Sequence, residues 1–130
     1  MKHWQLIMEE SGIVVAMLDK AGESANSLSA EVMAEFGEIL DQLDKQAPKG
    51  LIIRSGKDAG FIAGADIEEF SQLDTAEKGR VLVARGWNLF NRLAAVSYPT
   101  LALVRGHCLG GGLELSLACR YLLAVAVPVS

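Results

Sequence analysis

The chain lacks the features by which several large classes of protein are recognised from sequence. It has only two cysteines in 130 residues, Cys108 and Cys119, and both lie in apolar stretches, which favours small buried side chains over a disulfide framework. No apolar run approaches the roughly 18 residues of a membrane-spanning helix, and the start of the chain has no continuous apolar region of the signal-peptide kind. We therefore expect a soluble, cytoplasmic protein.

An excess of basic charge is also missing. The net charge of -4 and the isoelectric point near 5.1 provide no positive field for nucleic acid or anionic lipid. His107 and Cys108 are adjacent, but no second pair has the spacing of a zinc site, and we do not expect Cys108 to be a nucleophile. The glycines are not followed by the Gly-Lys-Ser/Thr of a phosphate loop.

Hydrophobic residues make up 51% of the chain, which predicts one globular domain with a single core. Short apolar, β-branched segments alternate with amphipathic ones, which predicts an α/β fold with parallel strand pairing. Residues 50–54 should be covered on both faces, and Trp4, Trp87 and Phe90 should lie in the core. The predicted elements are a hairpin of residues 4–9 and 13–18, a helix capped by Ser29 that ends before Pro48, strand 50–54, a short helix capped by Asp66, a helix capped by Thr75 and running toward Leu93, strand 100–104, a helix from near Gly111 and strand 121–127.

Two small-residue junctions follow predicted strands, one at residues 63–66 and one at residues 110–112. Ligands of α/β proteins usually bind at the carboxyl ends of strands. Outward-facing N–H groups from the two junctions could surround one oxygen atom as an oxyanion hole, in which a single donor is worth about 2.7 to 4 kcal/mol of barrier. Alternatively, the glycines only permit tight turns and close helix packing.

Glu114 is the one acid inside the apolar run that follows the glycines. Leu113, Leu115 and Leu117 flank it, which favours either a general acid/base with a raised pKa or a hydrogen-bonded structural carboxylate. The alternative is an acid stabilised by the N-terminus of its helix. Asp66, with Glu68 and Glu69 after it, is more typical of a helix cap than of a metal site.

Three segments in order, NSLS (26–29), GFIAGADIEEF (60–70) and GHCLGGGLEL (106–115), resemble the enoyl-CoA hydratase/isomerase (crotonase) superfamily. With AGESANSL, they resemble within it the N-terminal hydratase region of the alpha subunits of multifunctional fatty-acid oxidation enzymes. The resemblance implies the N-terminal portion of a crotonase-like ββα spiral over residues 1–130. It also implies an acyl-CoA thioester as substrate, with coenzyme A as part of that substrate and no separate cofactor, and assembly into a homo-oligomer or a larger fatty-acid oxidation complex.

The resemblance also assigns roles to individual positions. It implies that the backbone N–H groups of Ala65 and Gly111 hold the thioester oxygen and that Glu114 is one of two catalytic carboxylates. The residues implied to line the coenzyme A site are Ser24, Ala25, Ala63, Asp66, Ile67 and Gly110.

The second catalytic glutamate of the family is expected farther along than Ser130, and the last residues lack the acidic, polar turn expected there. The sequence is therefore expected to be a truncated hydratase module. Three functions remain open: enoyl-CoA hydration, enoyl-CoA isomerisation with a single carboxylate, and a non-catalytic fragment that binds acyl-CoA or self-associates.

Overall fold

The computed structural model describes residues 1–62, 64, 69, 71–108 and 110–125, with the backbone alone at position 107. The elements within this part of the chain are β1 (Trp4–Met8), β2 (Ile13–Leu18), α1 (Ala30–Gln46), β3 (Gly50–Ser55), β4 (Gly60–Ile62), α2 (Ala76–Ala94), β5 (Thr100–Arg105), β6 (His107–Cys108), α3 (Gly111–Ala118) and β7 (Tyr121–Val125). This order confirms the predicted alternation of strands and helices. The short helix expected after Asp66 and the end of the predicted last strand lie outside the described residues.

The main sheet has five strands in the order β1-β2-β3-β5-β7. β1 and β2 form the predicted antiparallel hairpin, and β2–β3, β3–β5 and β5–β7 are parallel. Ile13 pairs with Gly50, Leu51 with Thr100, and Leu101 with Tyr121. The carboxyl ends of four parallel strands therefore lie at the same edge of the sheet.

The core lies between one face of this sheet and α1. Alternate strand residues face it, as period-2 side-chain direction requires, and the buried ones are Val14, Ala16, Leu18, Leu51, Ile53, Ala102 and Val104. α1 contributes the stripe Val32, Phe36, Ile39, Leu40 and Leu43. The Ser29 side chain accepts a 3.2 Å bond from the Val32 N–H, and the helix ends at Ala47 in the left-handed region, before Pro48 as predicted.

The prediction that β3 is buried on both faces is wrong. Leu51 and Ile53 are buried, but Ile52 is only half-buried and Arg54 is exposed. Parallel pairing by itself does not cover the second face of a sheet, because that cover comes from other elements packed against it.

α2 is capped by Thr75, whose side chain accepts a 3.1 Å bond from the Lys78 N–H, as predicted. Its buried residues are Phe90 and Leu93, whereas Trp87 is 52% exposed, so the prediction of a core Trp87 is wrong. α2 packs through a narrow stripe, and the indole lies beside that stripe at the rim of a cavity. Near the end of α2, Arg92 binds Asp41 and Asp44 of α1 at 2.7 and 2.8 Å.

A second, two-stranded sheet was not predicted. β4 and β6 pair in parallel, Gly60 with His107 and Ile62 with Cys108, with an irregularity between the pairs. At three and two residues the strands are shorter than the four to eight that a periodicity argument needs. β4 leads directly into the first small-residue junction and β6 into the second.

Candidate active site

The two glycine-bearing junctions meet in the folded chain. Gly64, with φ 125°, belongs to the turn after β4, and Gly110, with φ 51°, belongs to the turn after β6. A Cβ placed on Gly110 would lie 3.8 Å from the Cα of Gly64. The pairing of β4 with β6 produces this approach, since each strand delivers one turn to the same place.

Gly60 and Gly106 allow these two strands to come close enough. They form a bridge, and a Cβ on Gly106, where φ is 70°, would stand 3.0 Å from the Cα of Gly60. A side chain at position 106 would therefore push β4 and β6 apart, and with them the two turns.

The N-terminus of α3 is packed directly on β4. A Cβ on Gly112 would stand 2.7 Å from the Cβ of Ile62 and 2.9 Å from its carbonyl oxygen. A Cβ on Gly111 would stand 2.9 Å from Cδ1 of Leu28. Close helix packing, the alternative reading of these glycines, therefore describes Gly112 well, and it also brings the backbone of Gly111 to the site.

α3 begins at Gly111, as predicted, with Gly110 as N-cap and no side chain capping it. The first N–H groups of a helix have no acceptor within the helix, and no residue that the structure describes accepts from the Gly111 N–H. The Glu114 N–H is satisfied by the Gly110 carbonyl at 3.1 Å. A helix start with free donors and no acidic cap favours an oxygen atom that carries partial negative charge.

A cavity of about 250 Å³ opens beside this helix start. Its lining comes from the loop before α1, from α1, from one side of α2 and from the first turn of α3. The lining residues are Leu28, Met33, Leu82, Val83, Gly86, Trp87, Phe90, Gly111 and Glu114. An apolar wall with a small number of polar groups is the usual composition of a small-molecule site.

Glu114 lines this cavity, but the leucines do not enclose it. Leu115 is buried, whereas Leu113 is 44% and Leu117 is 68% exposed. Residues adjacent in a helix point in different directions, so neighbours in sequence need not surround one another in space. The expected apolar enclosure is therefore wrong. No hydrogen bond to the Glu114 carboxylate joins it to another described residue, which does not support the structural-carboxylate reading.

The loop between β2 and α1 carries Ser24, which is exposed, and Ala25, which is half-buried. This loop is joined to the first turn by the Leu28 N–H, which donates to the Gly64 carbonyl at 2.8 Å. Of the other positions predicted for the site, Ala63, Ala65, Asp66 and Ile67 lie outside the described residues. Gly110 and Gly111 are placed together with Glu114.

Asn26 organises this loop, and the sequence reasoning assigned it no role. Its side chain is buried, its Oδ1 accepts from the Lys20 N–H at 2.9 Å, and its Nδ2 lies within hydrogen-bond distance of three acceptors, between which its two hydrogens are shared. Those acceptors are the Leu18 carbonyl at 2.9 Å, the Ser55 hydroxyl at 2.9 Å and the Phe61 carbonyl at 3.1 Å. One amide thus ties the loop to the ends of β2 and β3 and to β4. The available signal was a polar amide among small residues just after a buried strand.

The two thiols are free, and Cys119 is buried. Burial raises the pKa of the Cys119 thiol to about 11, against a smaller opposing effect of a hydrogen bond with Thr100. The thiolate, not the thiol, is the nucleophile, so Cys119 is unreactive near neutral pH, which agrees with the reading of a small buried side chain.

Comparison with known proteins decides the family. A sequence model described as enoyl-CoA hydratase/isomerase matches residues 8–128. The chain belongs to the enoyl-CoA hydratase/isomerase family. This membership confirms the resemblance that the three sequence segments indicated.

The family relatives include much longer proteins. The fatty acid oxidation complex subunit alpha of Shewanella sp. (strain ANA-3) is 42% identical over 120 residues, which are 92% of this chain and 17% of that relative. The protein of the same description from Shewanella oneidensis is 41% identical over the same share of each. The chain thus spans about a sixth of the length of these relatives.

Solved structures confirm the fold. The enoyl-CoA hydratase from Bacillus anthracis superposes with a TM-score of 0.87 at 29% identity, covering 94% of this chain and 47% of that one. An enoyl-CoA hydratase/carnithine racemase from Magnetospirillum magneticum gives 0.85 at 28% identity, with 95% and 46% covered. The family member therefore has the crotonase-like fold over about half the length of those structures. No helix in the described part of the chain is long and apolar enough to cross a membrane.

Proposed function

We propose that this chain carries the N-terminal half of an enoyl-CoA hydratase site, which adds water across the double bond of a 2-enoyl-CoA thioester in cytoplasmic fatty-acid oxidation. The observation that carries the proposal is the meeting of the Gly64 and Gly110 turns beside an apolar cavity with Glu114 on its wall. Its support in sequence is the family membership.

The chemistry assigns each part a role. Addition of water builds enolate charge on the thioester carbonyl oxygen, and the Gly111 N–H at the α3 start, with the Ala65 N–H as the proposed second donor, would stabilise that charge. The apolar residues of α2 would hold the acyl chain and exclude water from it. Coenzyme A is then part of the substrate, and no separate cofactor is needed.

Glu114 is the proposed general acid/base, because it is the carboxylate of the described residues that lines the cavity. It would take a proton from the attacking water or return one to the α-carbon. The partner carboxylate that hydration uses in this family is expected beyond Ser130.

An assay of crotonyl-CoA hydration, in which the loss of enoyl absorbance is measured, tests the proposal. Glu114→Gln should lower kcat by about 100-fold or more, since a positioned acid/base typically contributes that much. Glu38→Gln is the matched control, because Glu38 is an exposed glutamate on α1 outside the cavity. Equal rates for wild type and Glu114→Gln would remove Glu114 from the mechanism.

Isomerisation of a 3-enoyl-CoA to the 2-enoyl isomer is the second candidate. It is favoured by the presence of one carboxylate on the cavity wall in the described part of the chain, because moving a proton between two carbons of an enolate needs only one such group. Supplying a 3-enoyl-CoA and measuring the 2-enoyl product separates the two reactions.

Association with other chains is favoured by a different observation. Tyr121, Leu122, Leu123 and Val125 of β7 are all 43% exposed or more, and β7 is an edge strand. An exposed apolar edge pairs readily with other strands. A non-catalytic, self-associating fragment would show as oligomers in light scattering, together with no turnover of either substrate. Oligomers with turnover would instead fit the proposed homo-oligomer or fatty-acid oxidation complex.

A further inference from the structure

A second cavity, of about 290 Å³, lies at the carboxyl ends of β3, β5 and β7, and it shares no residue with the Glu114 cavity. Its lining is basic, with Arg54, Lys57 and Arg105 beside Ser55 and Gly60. Three cations in one cavity are unexpected in a chain with a net charge of -4. The net charge of the chain therefore does not explain the positive charge of this cavity.

The register of the main sheet places the two arginines together. Ile52 pairs with Leu101 in the parallel ladder, so Arg54 and Arg105 project from the same face of neighbouring strands, and both are exposed. Arg105 lies two residues beyond the position opposite Arg54, a diagonal spacing that long side chains can bridge. Within the part of the chain that the structure describes, neither guanidinium has a carboxylate at ion-pair distance.

Lys57 connects this cavity with the loop that carries Ser24 and Ala25. Its side chain is 9% exposed, and its Nζ donates to Asp19 Oδ1 at 2.6 Å and to the Glu23 carbonyl at 2.5 Å. Asp19 thus neutralises Lys57, and the uncompensated charge of the cavity belongs to the two arginines. The Glu23 contact places the cavity next to the proposed substrate loop.

We propose that Arg54 and Arg105 bind a phosphate group at this edge of the sheet. A guanidinium presents a planar fork of donors that matches two phosphate oxygens, and charge-assisted bonds of this kind are among the strongest in proteins. Gly60 has no side chain to block close approach, and the carboxyl edge of a parallel sheet is where ligands of α/β proteins usually bind. One source of the phosphate is the nucleotide end of the acyl-CoA substrate, which rests on the proposed function, and the other is free inorganic phosphate.

Calorimetric titration of the chain with coenzyme A, dephospho-coenzyme A and inorganic phosphate separates these sources. The test variant is Arg54→Gln/Arg105→Gln, and the control is Arg120→Gln, which removes an exposed arginine from the opposite edge of the same sheet. The control keeps the Arg120 N–H bond to Thr100, because that bond uses the backbone. Both altered side chains are exposed, so the fold should persist, and circular dichroism checks this.

If the nucleotide supplies the phosphate, the double variant should bind coenzyme A at least about tenfold more weakly than wild type. Dephospho-coenzyme A then shows whether the 3′-phosphate is the group recognised. If free phosphate is the ligand, inorganic phosphate should bind wild type and not the double variant, with coenzyme A affinity unchanged. Arg54→Lys/Arg105→Lys should recover part of either loss, because it restores the charge without the fork.

The proposal is overturned if the double variant and Arg120→Gln bind all three probes as wild type does, or if wild type binds none of them. Failure of the proposed enzyme function looks different. A chain that binds coenzyme A through the two arginines but turns over crotonyl-CoA no faster than Glu114→Gln would keep the phosphate site and lose the hydratase. A chain that hydrates crotonyl-pantetheine, which has no nucleotide, but binds coenzyme A and phosphate equally well with and without the two arginines would keep the hydratase and lose the phosphate site.

Discussion

The contact between Gly112 and β4 can be tested with a single methyl group. Gly112→Ala places a Cβ 2.7 Å from the Cβ of Ile62 and 2.9 Å from both its Cγ2 and its carbonyl oxygen. Real Cβ atoms do not approach other heavy atoms this closely, and two of the three obstacles belong to the backbone or to the root of a β-branched side chain. The first turn of α3 must therefore move away from β4, because the side chain of Ile62 cannot rotate out of the way.

Two opposing effects set the size of the loss. Alanine is better than glycine in a helix by about 0.8 to 1 kcal/mol, while overpacking a tight contact costs about 1 to 3 kcal/mol. The steric cost should lie in the upper part of its range here, because Ile62 is fully buried and its main chain is paired with β6. The expected net loss in free energy of unfolding is about 1.5 kcal/mol.

Gly79→Ala is the matched control, since Gly79 also lies in a helix. A Cβ there would come no nearer than 4.0 Å to another side chain, that of Leu73, so only the helix preference acts. This variant should gain about 0.5 to 1 kcal/mol. Urea unfolding followed by far-ultraviolet circular dichroism should show the midpoint of Gly112→Ala about 1 M below wild type and that of Gly79→Ala slightly above it. If both variants shift the midpoint upward, the contact with Ile62 does not limit the packing of α3.

Two further changes test side chains that join distant segments of the chain by hydrogen bonds. Asn26→Asp replaces an amide donor that faces two carbonyls with a buried carboxylate, and it should lower the free energy of unfolding in urea by about 3 kcal/mol or more. Asn88→Asp, on an exposed face of α2, is the control and should cost little. Equal effects of the two changes would show that the hydrogen bonds of the Asn26 amide are dispensable. Burial of the Glu35 carboxylate opposes its charge, but the backbone N–H groups of His3, Lys2 and Trp4 outweigh this effect and lower its pKa below 4.5. Because the folded pKa is lowered, Glu35→Ala should cost about 1 kcal/mol at neutral pH, and its difference from wild type should vanish as the pH falls from 4.5 through the lowered pKa; a difference that is the same at pH 3 and pH 7 would contradict this, and Glu38→Ala supplies the control.

The outcome for Trp87 shows where patterning along the chain reaches its limit. An aromatic residue in an amphipathic helix reads as core, and Phe90, three residues later, is indeed buried. The position of a residue on the apolar face of a helix does not say how much of that face the neighbouring elements cover. α2 contacts its neighbours over a narrow strip, and the indole remains at the rim of the cavity.

By itself, the sequence determined the strands and helices of the main sheet, their order along the chain and the parallel pairing. It also determined the helix caps Ser29 and Thr75 and the two glycine-bearing junctions. These follow from short-range rules, since side-chain period, capping and turn preference each depend on a few neighbouring residues. The family resemblance lay in the same local segments, which is why Gly110, Gly111 and Glu114 could be named in advance.

Tertiary structure alone decided what those residues face. The short pairing of β4 with β6 brings Gly64 to Gly110, and Asn26 fastens its loop to the ends of β2 and β3 and to β4. The sheet register puts Arg54 and Arg105 on one face of neighbouring strands, in diagonal positions. Each of these contacts joins residues far apart in the chain, and its geometry depends on how whole elements pack. No local pattern carries that information, because the same glycine, amide or arginine would be equally at home on an isolated turn or strand.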